Sequence, residues 1–133
     1  MLAMITGARI GELLALKWDD CADGAMTFLQ TKNGKARRIE ITPSIQAVFD
    51  QLPKASSWLF TNRRTQRGYT VNGARHVFDR AVVRAGLSAD ITLHTLRHTA
   101  LSRMIAAGFD DYTVMAISGH SSTRMLARYT HPT

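Results

Sequence analysis

Residues 93 to 107 constrain the chain more than any other stretch. Leu96, Ala100 and Met104 recur every four residues, and Leu101 with Ile105 widens the stripe. The run therefore predicts a helix whose apolar face must be buried against the rest of the molecule, with Gly108 as its end. The same helix opens with Leu93-His94-Thr95-Leu96-Arg97-His98-Thr99, and a three-residue spacing sets His94 and Arg97 side by side. Two readings of that pair stand open: an ordinary solvated helix face, and an imidazole–guanidinium clamp for an oxyanion such as phosphate. His98 follows His94 by four residues, a spacing that zinc ligands use. No Glu follows the first histidine and no third ligand is evident, so no metal is expected, and His98 reads as a structural histidine beneath the pair.

A chain of 133 residues, 45% of them hydrophobic, is large enough for one domain with its own core. The single cysteine, Cys21, excludes an internal disulfide and suits a reducing compartment. Arg9 and Glu12 interrupt the apolar opening well short of a membrane span, and no signal-peptide pattern is present. The expectation is a soluble, cytoplasmic protein. Its formal charge of +7 is unevenly placed. Lys32, Lys35, Arg37 and Arg38 cluster without an acid among them, and Lys54, Arg63, Arg64, Arg67, Arg75, Arg80 and Arg84 stand against Asp79 alone. Such clusters fit a polyanion, most commonly nucleic acid. A membrane surface fits less well, because the Arg-rich stretch lacks large apolar residues at a steady helical period.

Residues 1 to 17 read as a helix carrying Ile5, Leu13 and Leu16 inward, with a break or close approach at Thr6-Gly7. Arg9 and Glu12 share a face of it, where the acid can hold the guanidinium. Residues 25–30 and 38–42 read as antiparallel strands joined through Asn33-Gly34, a strong hairpin signal that puts Lys32 at a turn. Ser44 is the expected cap of a helix over 45–52, and Trp58-Leu59-Phe60 reads as a third, edge-like strand. Residues 61–70 read as loop. A helix over 71–85 turns Val77, Phe78, Ala81 and Val82 inward and ends at Gly86. Asp110 caps a helix over 111–118 that stops at Gly119, and a last helix leads to Tyr129.

The segments Thr6-Gly7-Ala8-Arg9-Ile10-Gly11-Glu12-Leu13-Leu14, Thr31-Lys32-Asn33-Gly34, His94-Thr95-Leu96-Arg97-His98-Thr99 and Gly119-His120, with Tyr129 nine residues past the histidine, occur in this order. Together they resemble the catalytic domain of the tyrosine recombinases, the phage-integrase family. The resemblance covers essentially the whole chain. It implies a mainly helical α+β domain with a small antiparallel sheet, the fold of DNA breaking-rejoining enzymes. Met125-Leu126, where relatives often carry a Thr-Thr pair, and Ser118, where leucine is common, depart from the pattern.

The same resemblance implies site-specific DNA recombination and a role for each matching residue. Tyr129 would attack the scissile phosphate and form a 3′-phosphotyrosyl link. A phenol is a weak nucleophile at neutral pH and needs electrostatic help. Arg9 and Arg97 would fork onto the non-bridging oxygens, His94 and His120 would hydrogen-bond the phosphate, and Lys32 would protonate the departing 5′-oxygen. Glu12 would orient Arg9. No cofactor is expected, because the covalent link retains the energy of the phosphodiester. Lys35, Arg37, Arg38, Arg63, Arg64, Arg67 and Arg75 are the expected contacts to double-stranded DNA, with the protein at the nucleoid when bound. Self-association on DNA, as dimer or tetramer with an exchanged terminal segment, is a further expectation. The chain is expected to be a catalytic domain over 1–133, cut at its N-terminus and lacking a clamping domain, with Leu2, Met4 and Ile5 left exposed. Two alternatives remain: a catalytically silent DNA-binding remnant, and a type IB topoisomerase-like relaxase.

Overall fold

A glycine kink divides the opening of the chain. The computed structural model describes residues 2–29 and 36–119. Helix α1 (Leu2–Thr6) ends as Gly7 takes φ +68°, and α2 (Ile10–Leu14) restarts after Arg9 at its N-cap, so residues 2 to 17 hold two short helices where a single one is expected. Thr6 secures the junction: its hydroxyl donates to the Leu2 carbonyl at 2.8 Å and accepts the Ala8 N–H at 3.1 Å. Gly7 has a packing reason as well as a conformational one, because a Cβ there would lie 3.1 Å from Leu101 Cδ2.

After a 3₁₀ turn (Trp18–Asp20), strands β1 (Cys21–Ala22), β2 (Ala25–Phe28) and β3 (Arg37–Glu40) form an antiparallel sheet in that order. Met26 faces Ile39 and Phe28 faces Arg37 in the register. The third strand of this sheet is therefore Cys21–Ala22. Trp58-Leu59-Phe60 instead makes a single bridge, between Trp58 and Lys17, within a loop that buries Leu59. Thr42, not Ser44, caps α3 (Pro43–Gln51), accepting the Ile45 N–H at 3.4 Å. Residues 61–70 contain a small hairpin of β4 (Thr61–Asn62) and β5 (Arg67–Gly68) where a loop is expected.

Among the described residues the remaining helices are α4 (Val71–Arg84), α5 (Leu93–Ala106) and α6 (Asp111–Ser118). Asp110 caps α6 through Thr113 N–H at 2.7 Å, and Gly119 closes it in the left-handed conformation. One core joins Leu2, Ala8, Leu13, Leu16, Met26, Phe28, Ile45, Phe49 and Leu59, with Leu96 of α5 packed against it. A second joins Leu101 and Val114. Two expectations fail here. Leu2 is only 3% exposed, so the opening helix is covered rather than bare, and Met4 and Ile5 are partly buried. On α4, Val82 is buried but Val77 and Ala81 face solvent. Among the described residues no helix is long and apolar enough to cross a membrane.

Candidate active site

The α1–α2 kink and the start of α5 face each other across a cleft of about 660 Å³. Arg9, Arg97 and His94 line it together with Thr92, Glu12 and, from α4, Arg75 and Asp79. The two arginines expected to grip one phosphate thus share one cavity, although distant segments of chain supply them. Thr92 starts α5, its N–H donating to Thr95 Oγ1 at 3.0 Å, and this sets the helical phase that turns His94 and Arg97 toward the cleft.

Arg97 is not a surface residue. It is 2% exposed, and its Nη1 donates to the Gly7 carbonyl at 2.9 Å. Gly7 ends α1, so this bond ties α5 to the kink that presents Arg9. His94 is exposed at the cleft mouth and meets His98 edge to face, with ring centroids 4.4 Å apart. His98 accordingly stands one turn behind His94 and lines a different depression, with Thr99, Ser102, Arg103 and Ala106.

Glu12 does not grip the Arg9 guanidinium as expected. Its Oε1 accepts the Arg9 backbone N–H at 3.0 Å, which caps the start of α2. The carboxylate faces Arg37 instead, with Nη1 to Oε2 at 2.7 Å and Nη2 to Oε1 at 3.0 Å. The i,i+3 expectation fails because Arg9 is the N-cap, with extended φ −69° and ψ 146°, so its side chain leaves the helical face that Glu12 occupies. Burial is the largest single influence on the Glu12 carboxyl and would raise its pKa. The Arg37 hydrogen bond, the Arg9 N–H and the charges of Arg37 and Arg9 together outweigh it and hold the pKa below its ordinary value.

Arg37 is likewise not an open DNA contact. Its side chain is 9% exposed, its Nε donates to the Ile117 carbonyl at 2.8 Å, and its guanidinium lies 4.8 Å from the Phe28 ring centroid. The basic run around it points to the surface, but the fold turns this side chain inward. Arg38, Arg63, Arg64, Arg67 and Arg75 are exposed. Arg63 and Arg64 flank a second groove with His76 and Arg80. Arg75 alone of these reaches the cleft of Arg9 and Arg97. Lys32, Lys35, His120 and Tyr129 lie outside the described residues.

Comparison with known proteins gives this geometry a setting. The model of the phage integrase family matches residues 1–133. The Shufflon-specific DNA recombinase of Escherichia coli is 33% identical over 98% of this chain and 33% of its own length. Tyrosine recombinase XerD of Corynebacterium glutamicum is 36% identical over 96% of this chain and 45% of its own. The crystal structure of a lambda integrase dimer bound to a COC' core site superposes with a TM-score of 0.82 at 26% identity, covering 96% of this chain and 39% of that one. The chain thus spans from a third to under half the length of these relatives.

Proposed function

Because this chain belongs to the phage integrase family, we propose that it carries the strand-cleaving and rejoining chemistry of a site-specific DNA recombinase. Tyr129 Oη attacks the scissile phosphorus, the bond to the 5′-oxygen breaks, and the DNA 3′-end remains esterified to the tyrosine. Reversal by a 5′-hydroxyl of another strand completes an exchange and regenerates the phenol. His94 takes up the tyrosine proton, and Lys32 returns one to the leaving oxygen. Arg9 and Arg97 hold the non-bridging oxygens as negative charge grows on them, with His120 as a further donor.

The observation that carries this reading is the shared cleft. The guanidiniums of Arg9, Arg97 and Arg75 and the imidazole of His94 line a single cavity large enough for a phosphodiester, and that of Arg97 is almost wholly buried. A buried, fixed donor needs no reorganisation when charge develops, which is what stabilises a transition state rather than a substrate. Exposed Arg38, Arg63, Arg64, Arg67 and Arg75 supply the flanking backbone contacts to double-stranded DNA. Assembly on that DNA as more than one protomer belongs to the same proposal, and the lambda integrase complex is a dimer.

The test is covalent capture. Nicked duplexes of randomised sequence, incubated with the chain, yield a denaturant-resistant protein–DNA adduct whose enriched sequence reports the target. Tyr129→Phe abolishes it. An adduct that survives this substitution moves the nucleophile elsewhere. Salt-sensitive retention of duplex without any adduct would instead describe a DNA-binding chain without the chemistry.

A further inference from the structure

Arg37, one of the expected DNA contacts, is turned into the fold. It sits where three elements meet. Its Nη1 and Nη2 fork onto Glu12 of α2, its Nε holds the carbonyl of Ile117 near the end of α6, and β3 supplies its backbone. Two of these attachments matter for the cleft. Glu12 Oε1, which receives Arg37 Nη2 at 3.0 Å, also receives the N–H of Arg9 at 3.0 Å. The group that fixes Glu12 therefore fixes the backbone from which Arg9 projects. Ile117 lies two residues before Gly119, which leads in sequence directly into His120.

Gly119 shows how tightly this second attachment is packed. A Cβ at Gly119 would stand 2.6 Å from Arg37 Nη1 and 3.1 Å from its Cζ. The end of a long side chain ordinarily swings away from such a contact. This one is held by hydrogen bonds in two directions and rests against Phe28. We propose that Arg37 is a positioning residue for the cleft, setting Arg9 through Glu12 and the Gly119 end of α6 through the Ile117 carbonyl, so that one guanidinium aligns both. This rests on the reading of the cleft as a phosphate site. Lysine is no substitute: a single ammonium cannot reproduce the planar fork and the separate Nε donor together.

Arg37→Lys separates alignment from folding. The variant keeps a cation opposite Glu12. Its Arg9 and Gly119 amides should both exchange with deuterium about tenfold faster than in the parent while α4 amides are unchanged. The dissociation constant for inorganic phosphate, followed through the His94 ring resonances, should rise about tenfold. A folded Arg37→Lys chain with parental exchange at both amides, or faster exchange at only one, overturns the coupling. Should Arg37→Lys fail to fold, Glu12→Leu/Arg37→Met replaces the ion pair with apolar packing, a change that often preserves stability. That double variant should fold but melt below the parent, since the Arg9 N–H and the Ile117 carbonyl lose their partners, and should keep fast exchange at Gly119 and weak phosphate binding; recovery of both would reduce Arg37 to a structural role. If inorganic phosphate leaves the parent spectrum unchanged, the phosphate reading of the cleft falls, and the exchange of the two amides still decides the coupling.

Discussion

Arg97 Nη1 and the Gly7 carbonyl are 2.9 Å apart, although 90 residues of chain separate them. A residue expected to meet DNA phosphate thus also closes the contact between α5 and the α1–α2 kink. Under the proposed function, stability and chemistry are therefore coupled at this position. Arg97→Ala should cost about 1–3 kcal/mol, because it strips a donor from a buried carbonyl, and should lower strand cleavage by a factor on the order of 10²–10³. Urea unfolding and single-turnover adduct formation measure the two losses separately. A variant of parental stability would show that the Gly7 bond contributes nothing.

Gly7 itself offers a second test. Its φ of +68° excludes most side chains at low cost, and Leu101 Cδ2 would lie 3.1 Å from an added Cβ. Gly7→Ala should therefore destabilise the chain by about 1–3 kcal/mol, the backbone penalty adding to the displacement of Leu101. Chemical denaturation reads the change. The Arg9 amide, two residues on, should lose protection from hydrogen exchange at the same time.

Two glycines with similar backbone angles should respond differently to the same substitution. Gly86 has φ +71° with nothing within 4 Å of an added Cβ, whereas Gly119 has φ +80° with Arg37 Nη1 at 2.6 Å. Gly86→Ala should cost about 1 kcal/mol, the conformational penalty alone. Gly119→Ala should cost clearly more, because Arg37 must give up one of its bonds. Equal midpoint shifts in urea would mean that the Arg37 side chain yields freely.

How much of this was legible in the sequence follows from how local each signal is. The α5 stripe, the Asp110 cap and the Asn33-Gly34 hairpin signal depend on neighbours within a few residues. The first two coincide with the structure, and the turn itself lies outside the described residues. The β4–β5 hairpin was illegible because Thr61-Asn62 and Arg67-Gly68 are polar, short and without alternation. Trp58-Leu59-Phe60 has strand composition, but its burial comes from loop packing against the core. The cleft was legible as a set of residue types, while its wiring was not. Nothing near Arg37 in sequence marks an acid 25 residues upstream or a carbonyl 80 residues downstream. A spacing rule pairs Glu12 with Arg9 only if both lie on one helix, and the chain breaks between them and α1.

Cys21 gives a chemical readout of the native state. Burial, with the charge of Asp20 adding to it, pushes its thiol pKa up to about 11. At pH 8 only about one thiol in a thousand is then ionised, and the thiolate is the reactive species. Iodoacetamide should label native Cys21 far more slowly than it labels the urea-unfolded chain. Equal rates would mean that the thiol is neither buried nor perturbed.

The Glu12–Arg37 pair fixes how stability depends on acid. The folded chain holds the Glu12 pKa below its ordinary 4.5, so the folded state binds fewer protons at this site than the unfolded state as pH falls through that region. The contribution is therefore fully present above about pH 4.5 and declines below it, until both states are protonated. Thermal melts from pH 7 to pH 3 should show that decline superimposed on the titration of the other carboxylates. Glu12→Gln keeps an acceptor for the Arg9 N–H but has no charge to lose. It should start less stable at pH 7, because Arg37 is left buried without its counter-ion. Its melting temperature should then fall less steeply below pH 4.5 than that of the parent, and the two curves should converge. Parallel curves across the range would show that Glu12 titrates alike in both states and that the pair does not carry the acid dependence.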